Sequence, residues 1–118
     1  MTTQTYHGSC QCGAVAYEVD VDLANTITCN CSRCQRLGSI LAFTPWEKFA
    51  LTKGEDATTT YQFNKRAIEH RFCKTCGIQS YAKGVTREGA TMAAINVRCL
   101  TDVDLGALTP HHVDGASI

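Results

Sequence analysis

Apolar residues in this chain come in short bursts, often at every second position and bounded by turn-forming residues, which is the pattern of strands with one buried face. In residues 14–19, Val15, Tyr17 and Val19 fall on one side. Residues 26–29 are rich in β-branched side chains, and residues 39–44 form an apolar run between Gly38 and Pro45. Residues 58–63, 68–72, 79–83 and 91–97 repeat the signal between turns rich in Gly, Asn, Asp and Lys. No apolar stripe of helical period persists over about ten residues. The one helical turn expected is short and opens at Pro45, because proline is accommodated at a first helical position. The pattern therefore predicts a mostly β fold. From Leu100 onward, Asp102, Asp104, Gly106, Pro110 and Gly115 predict an irregular closing segment, pinned to the sheet by Leu100, Val103, Leu105, Leu108 and Val113.

Composition narrows the partners. A chain of 118 residues, 44% hydrophobic and 19% charged, with no internal repeat and no low-complexity linker, is expected to form one domain over residues 1–118. Its 11 basic and 11 acidic side chains cancel, which removes the broad positive field that holds nucleic acid or anionic lipid. No apolar run is long enough to span a bilayer, and the opening Met-Thr-Thr-Gln-Thr-Tyr lacks the basic and apolar regions of a secretory signal. The expectation is a cytoplasmic protein with no nucleic-acid or membrane partner. Thiols do not persist as structural disulfides in a reducing compartment, so 8 cysteines point to metal or to catalysis.

Those cysteines are clustered. Cys10 and Cys12 form C-x-C, Cys29, Cys31 and Cys34 form C-x-C-x-x-C, Cys73 and Cys76 form C-x-x-C, and Cys99 stands apart. Zinc takes a tetrahedron of soft ligands, and two sulfurs two or three residues apart reach one ion from a tight turn. Each pair is half a site. Gly77 after the last pair suits the left-handed backbone that follows such a knuckle. Cys10 and Cys12 with Cys73 and Cys76 make a closed, structural four-thiolate site. The middle cluster brings three sulfurs and no local fourth ligand, the arrangement of catalytic zinc, whose remaining position can take a substrate thiol and ionise it. A second reading stands beside it, in which Cys99 closes that site and both metals are structural. A thioredoxin-like reading of Cys73-Lys74-Thr75-Cys76 is disfavoured by its strand-and-turn context.

Four motifs then match one family in order and spacing: Gly8-Ser9-Cys10-Gln11-Cys12-Gly13-Ala14-Val15, Cys29-Asn30-Cys31-Ser32-Arg33-Cys34-Gln35-Arg36, Leu51-Thr52-Lys53-Gly54-Glu55-Asp56, and Phe72-Cys73-Lys74-Thr75-Cys76-Gly77. Across nearly its whole length the chain resembles the glutathione-dependent formaldehyde-activating enzymes, a family that also includes the eukaryotic centromere protein V. The resemblance implies an Mss4-like, zinc-stabilised β fold with short antiparallel sheets and two zinc ions per chain. It implies Cys10, Cys12, Cys73 and Cys76 as structural ligands and Cys29, Cys31 and Cys34 as ligands of the catalytic zinc, with no ligand role for Cys99. The implied activity is that of a carbon–sulfur lyase or glutathione-adduct enzyme, forming or cleaving S-(hydroxymethyl)glutathione or a related thiol adduct. Its partners would be a small-molecule thiol, glutathione foremost, and an aldehyde adduct. The competing class is a non-catalytic binding module whose two metals only brace the fold.

The helper residues each carry two readings. Arg33, Arg36 and Lys74 either balance thiolate charge and grip a substrate carboxylate, or are solvated surface charges. Ser32 satisfies the turn between Cys31 and Cys34 in preference to acting as a nucleophile, since no base accompanies it. His70 is either a proton carrier or a strand residue at the sheet surface. His111 and His112 point to opposite sides of an extended chain, so at most one reaches a metal. Trp46, with Phe43 and Phe49, either caps the core beside the second cluster or lines a pocket.

Overall fold

The computed structural model describes residues 3–63, 67–86 and 88–117. Strands β1 (Gln4–Ser9), β2 (Ala16–Val21) and β5 (Phe49–Lys53) form an antiparallel sheet of three. A sheet of seven has the order β10 (His111–Val113), β3 (Ile27–Cys29), β4 (Leu41–Pro45), β9 (Thr91–Asn96), β8 (Gln79–Val85), β7 (Ile68–Cys73) and β6 (Thr58–Tyr61). Its pairings are antiparallel except β10 with β3, which is parallel.

Alternation builds the core as the sequence pattern demands. On β2, Tyr17, Val19 and Val21 are buried while Glu18 faces solvent, and on β9 Ala93 and Ile95 are buried. The chain leaves the large sheet at Pro45, passes through the helical turn Trp46–Lys48 and enters the small sheet as β5. Phe49 thus arrives between the sheets, with its ring 4.6 Å from that of Tyr81, 4.9 Å from Tyr17 and 5.0 Å from Trp46. Burying a side chain such as Phe49 or Ile95 is worth about 1.5–3 kcal/mol. The polar tip of Tyr17 is satisfied, since its hydroxyl donates to the Ser80 carbonyl at 3.0 Å. Phe43 takes no part and is 47% exposed.

Three strands lie outside the alternation signal. β1 contains Gln4, Thr5, His7 and Ser9, with Tyr6 alone packing a large side chain against the core, so its place is set mainly by backbone pairing from Gln4↔Val21 to Ser9↔Ala16. β5 follows Trp46–Lys48 too closely to read as a separate run. β10 gives the closing segment more order than its composition suggests, and short helical turns at Leu105–Ala107 and Gly115–Ser117 flank it. The strand expected over residues 58–63 ends at Tyr61. A six-residue helix, α1 (Ser32–Leu37), stands in the second cysteine cluster, capped by the Cys31 sulfur and ended by Gly38. Among the described residues no helix is long and apolar enough to cross a membrane.

Candidate metal centres

The first cysteine group joins the two sheets. Cys10 follows β1 of the small sheet, while Cys73 ends β7 of the large sheet and Cys76 lies in the turn leading to β8. The four sulfurs of Cys10, Cys12, Cys73 and Cys76 lie within 4.8 Å of one another. Cys10 to Cys12 is 3.7 Å and Cys12 to Cys73 is 3.6 Å. A zinc–sulfur bond of about 2.3 Å sets a tetrahedral S···S edge of about 3.8 Å, so the spacing fits this ion. The turns hold the sulfurs through backbone amides: Val15 donates to Cys10 at 3.3 Å, and Thr75 and Cys76 donate to Cys73 at 3.3 and 3.5 Å. Gly77, at φ 79°, lets its own amide return to the Cys73 carbonyl at 2.9 Å.

These amides favour anionic sulfur. The hydrogen bond from Cys76 lowers the Cys73 thiol, and the Ile78 amide leads the group that brings Cys76 to about 6. At Cys12 the Ala14 amide pulls downward, but desolvation and the thiols of Cys73, Cys10 and Cys76 push it to about 11. Four touching sulfurs cannot all ionise without a cation among them, which is the demand a divalent ion meets.

The second group is local. Cys29 ends β3, Cys31 caps α1 and Cys34 sits in its first turn, with the three sulfurs within 4.8 Å of one another. Among the described residues no fourth cysteine, histidine or carboxylate joins them. The Cys31 amide donates to Cys29 at 3.4 Å, and the Cys34 amide donates to Cys31 at 3.3 Å. Burial opposes ionisation of Cys31, yet the amide and thiol of Cys34 and the amide of Arg33 outweigh it and hold that thiol low. Burial and the neighbouring Cys31 push Cys34 up to about 12. As in the first group, the donor set is soft, tightly spaced and suited to zinc.

The closing segment straps this cluster. The Asn30 side-chain amide donates to Asp114 at 2.9 Å, and its oxygen accepts the Ala116 amide at 2.9 Å. The Ser117 hydroxyl donates to Asp114 at 2.7 Å, and with Asn30 it holds that carboxyl below its usual range. Gly115 lies so close that a β-carbon there would stand 2.4 Å from the Cys29 sulfur. Sequence reasoning missed these supports, although Asp114-Gly115-Ala116-Ser117 carries an Asx-turn signature.

Other candidates fall elsewhere. Cys99 joins neither group; its thiol points to the Gln79 carbonyl at 3.9 Å and lines a cleft with Cys10. Burial first, then the charges of Cys10 and Cys76, push it to about 11. His111 and His112 are exposed on β10, with His112 against the Thr28 hydroxyl at 3.1 Å. Lys74 is exposed in the turn of the first group. His70 is buried on β7, where desolvation and then Arg33 lower it to about 4, so it does not carry protons near neutrality. A cavity of about 550 Å³ runs along α1, lined by Ser32, Arg33, Arg36, Leu37, Tyr61 and Phe63.

Fold and site together define a small β protein built around two cysteine groups with metal-ligand spacing. Residues 5–113 match the family described as glutathione-dependent formaldehyde-activating enzyme, and the chain belongs to that family. It is also similar to a Rhodobacter sphaeroides protein of known crystal structure, at 33% identity and a TM-score of 0.80, covering 90% of this chain and 97% of that one.

Proposed function

We propose that this chain is a zinc-dependent enzyme that forms or cleaves the carbon–sulfur bond of S-(hydroxymethyl)glutathione-like adducts, with glutathione as the thiol. The observation that carries this reading is the three-sulfur group of Cys29, Cys31 and Cys34, set where β3 meets the helix whose Arg33 and Arg36 line a cavity. Cys10, Cys12, Cys73 and Cys76 then hold a zinc that braces the fold, and Cys29, Cys31 and Cys34 hold a second. When bound, that second ion supplies a position at which a thiol is ionised near neutral pH.

The chain's own residues do the rest. The amides of Cys31 and Cys34 keep their sulfur acceptors in place, and the Asn30–Asp114 strap seats Gly115 against Cys29. Arg33 and Arg36 offset the negative charge that three thiolates and a substrate thiol accumulate. In the forward direction the sulfur electron pair forms the bond to the aldehyde carbon, the carbonyl pair moves to oxygen, and the thiol proton ends on the new hydroxyl. The reverse reaction breaks the same bond.

The test joins metal analysis to exchange spectroscopy of glutathione with formaldehyde. Two zinc ions per chain and accelerated exchange are expected, with the rate of Cys34→Ser falling to the uncatalysed value while one zinc is retained. Fully loaded protein that accelerates exchange for none of several small thiols would leave the zinc-braced binding module as the reading.

A further inference from the structure

The large sheet has two faces of opposite character. Across β4, β9, β8, β7 and β6 the register sets Phe43, Ala94, Ala82, His70 and Tyr61 side by side. Residues two apart on a strand share a face, so Pro45, Met92, Gly84 and Ile68 form a second row beside the first. The positions between the rows point the other way, where Ala42, Ile95 and Tyr81 enter the core. These five strands carry three charged residues, Glu69, Arg71 and Lys83, and the register places all three on that inner side. The outer rows carry none. Even His70 adds no charge there, since its ring is buried and desolvation keeps it neutral.

The outer face is also open. Phe43, Ile68 and Tyr61 are 47%, 46% and 45% exposed, and they flank a shallow floor of Ala94, Ala82 and Gly84. A β-carbon on Gly84 would meet the Ile68 side chain at 3.4 Å, which confirms that Ile68 lies across this floor. α1 closes one end of the face. There Arg33 donates from Nε and Nη2 to Gln79 Oε1, at 3.0 and 2.6 Å, and the Gln79 nitrogen donates to His70 Nδ1 at 3.4 Å. Tyr61 also lines the cavity along α1, so the face runs up to that cavity.

Size and charge select the occupant. Side chains of this kind, half exposed, each leave about 100 Å² in water, so Phe43, Ile68 and Tyr61 leave about 300 Å² together. A patch of that extent marks an interaction site, and it suits the apolar centre of an interface that takes about 800 Å² from each partner. In an isologous pair a surface lies against its own image, so charged surfaces meet like charge and are repelled. A charge-free face avoids that repulsion, and the 11 basic and 11 acidic residues of the chain leave no net charge to hold two copies apart. Projecting rings and small-residue floor occur on one patch, which therefore carries both halves of a fit to itself.

We propose that the outer face of the large sheet is a twofold interface at which two copies of this chain pair, with Phe43 and Ile68 of each copy packing on the floor of Ala82, Gly84 and Ala94 of the other. The pairing stands apart from the carbon–sulfur chemistry and does not depend on it.

Sedimentation of the zinc-loaded chain at about 100 µM tests this, well above the micromolar constant that a weak interface of standard size reaches. A mass twice that of one chain is expected. Phe43→Glu and Ile68→Glu each put like charges into the paired face and should weaken association about 100-fold or more, leaving monomers with unchanged circular dichroism and zinc content. Val85→Glu is the control. Val85 is 55% exposed but shares the register of Tyr81 and Lys83 on β8, so its variant should remain dimeric. A further readout needs no variant: on serial dilution of the wild-type protein the Phe43 ring and Ile68 methyl signals should shift while the Val85 methyls hold. A wild-type monomer, a dimer that survives both glutamates, a dimer lost equally in Val85→Glu, or dilution shifts that leave Phe43 and Ile68 unmoved overturns the proposal.

Discussion

The two cysteine groups share one ligand chemistry and sit in opposite surroundings. The first draws sulfurs from both sheets, with Cys12 and Cys73 separated by 61 positions; Cys10 and Cys73 are only 3% and 1% exposed, Cys76 is half-buried and Cys12 reaches solvent. The second takes all its sulfurs from residues 29–34, each of them half-buried. Closing a long loop removes far more freedom from the unfolded chain than closing a turn, so a metal in the first group acts on the whole fold. One in the second acts on its own neighbourhood. Long-range and local closure are thus divided between the two groups.

The sharpest way to break this comparison is to remove one sulfur from each. Structural zinc contributes on the order of 10 kcal/mol to folding, comparable with the entire stability of a small domain. Cys73→Ser is expected to abolish cooperative unfolding, whereas Cys34→Ser should melt as a folded protein that has lost one metal and its activity. Circular dichroism melts with metal analysis check both. Equal damage from the two substitutions would show that the second group also holds the sheets together.

A smaller effect isolates the strap. In Gly115→Ala the new methyl would stand 2.4 Å from the Cys29 sulfur, which must leave the cluster or displace the closing turn. Metal supports of this kind are worth about 10–100-fold in affinity. Chelator competition should show a loss of about tenfold or more at the second group and none at the first. Asn30→Ala, which releases Asp114 and Ala116 without a clash, should weaken the same metal less.

This strap also shows where the sequence stops being legible. The C-x-C and C-x-x-C spacings mark each pair as half a site, because a spacing within a turn is a local fact, and the geometry brings Cys10, Cys12, Cys73 and Cys76 together. The same holds for Val15, Tyr17 and Val19, whose alternation marks their buried face. Gly115 against Cys29 is a contact between positions 86 residues apart along the strap, the separation of Asn30 and Ala116, and no period or spacing announces it. β1 was equally silent because its stability comes mainly from main-chain pairing. Gln79 reads as a strand residue until β7 and β8 place it between Arg33 and His70.

His70 sharpens the comparison on the cavity side. An unfolded imidazole titrates near 6.5 and the buried ring near 4, so the unfolded chain takes up the proton first. The stabilisation is present above pH 6.5 and is lost as the pH falls toward 4. Carbon-bound ring proton shifts should stay those of a neutral imidazole down to about pH 4. A midpoint near 6.5 would show that the ring is solvated and that Gln79 has no fixed partner behind it.

The smallest effect is expected at Cys99, which lies beside the first group without belonging to it. Its thiol is pushed to about 11 by burial and then by Cys10 and Cys76, and its sulfur lies outside both groups of mutually close sulfurs. Among the described residues its one polar contact is the long approach to the Gln79 carbonyl at 3.9 Å. Cys99→Ser should therefore keep both metals and shift stability by no more than about 1 kcal/mol, within the range of a buried polar replacement. Metal analysis is the decisive measurement. Loss of the second zinc in this variant would mean that Cys99 reaches Cys29, Cys31 and Cys34, and the difference between a closed brace and an accessible centre would disappear.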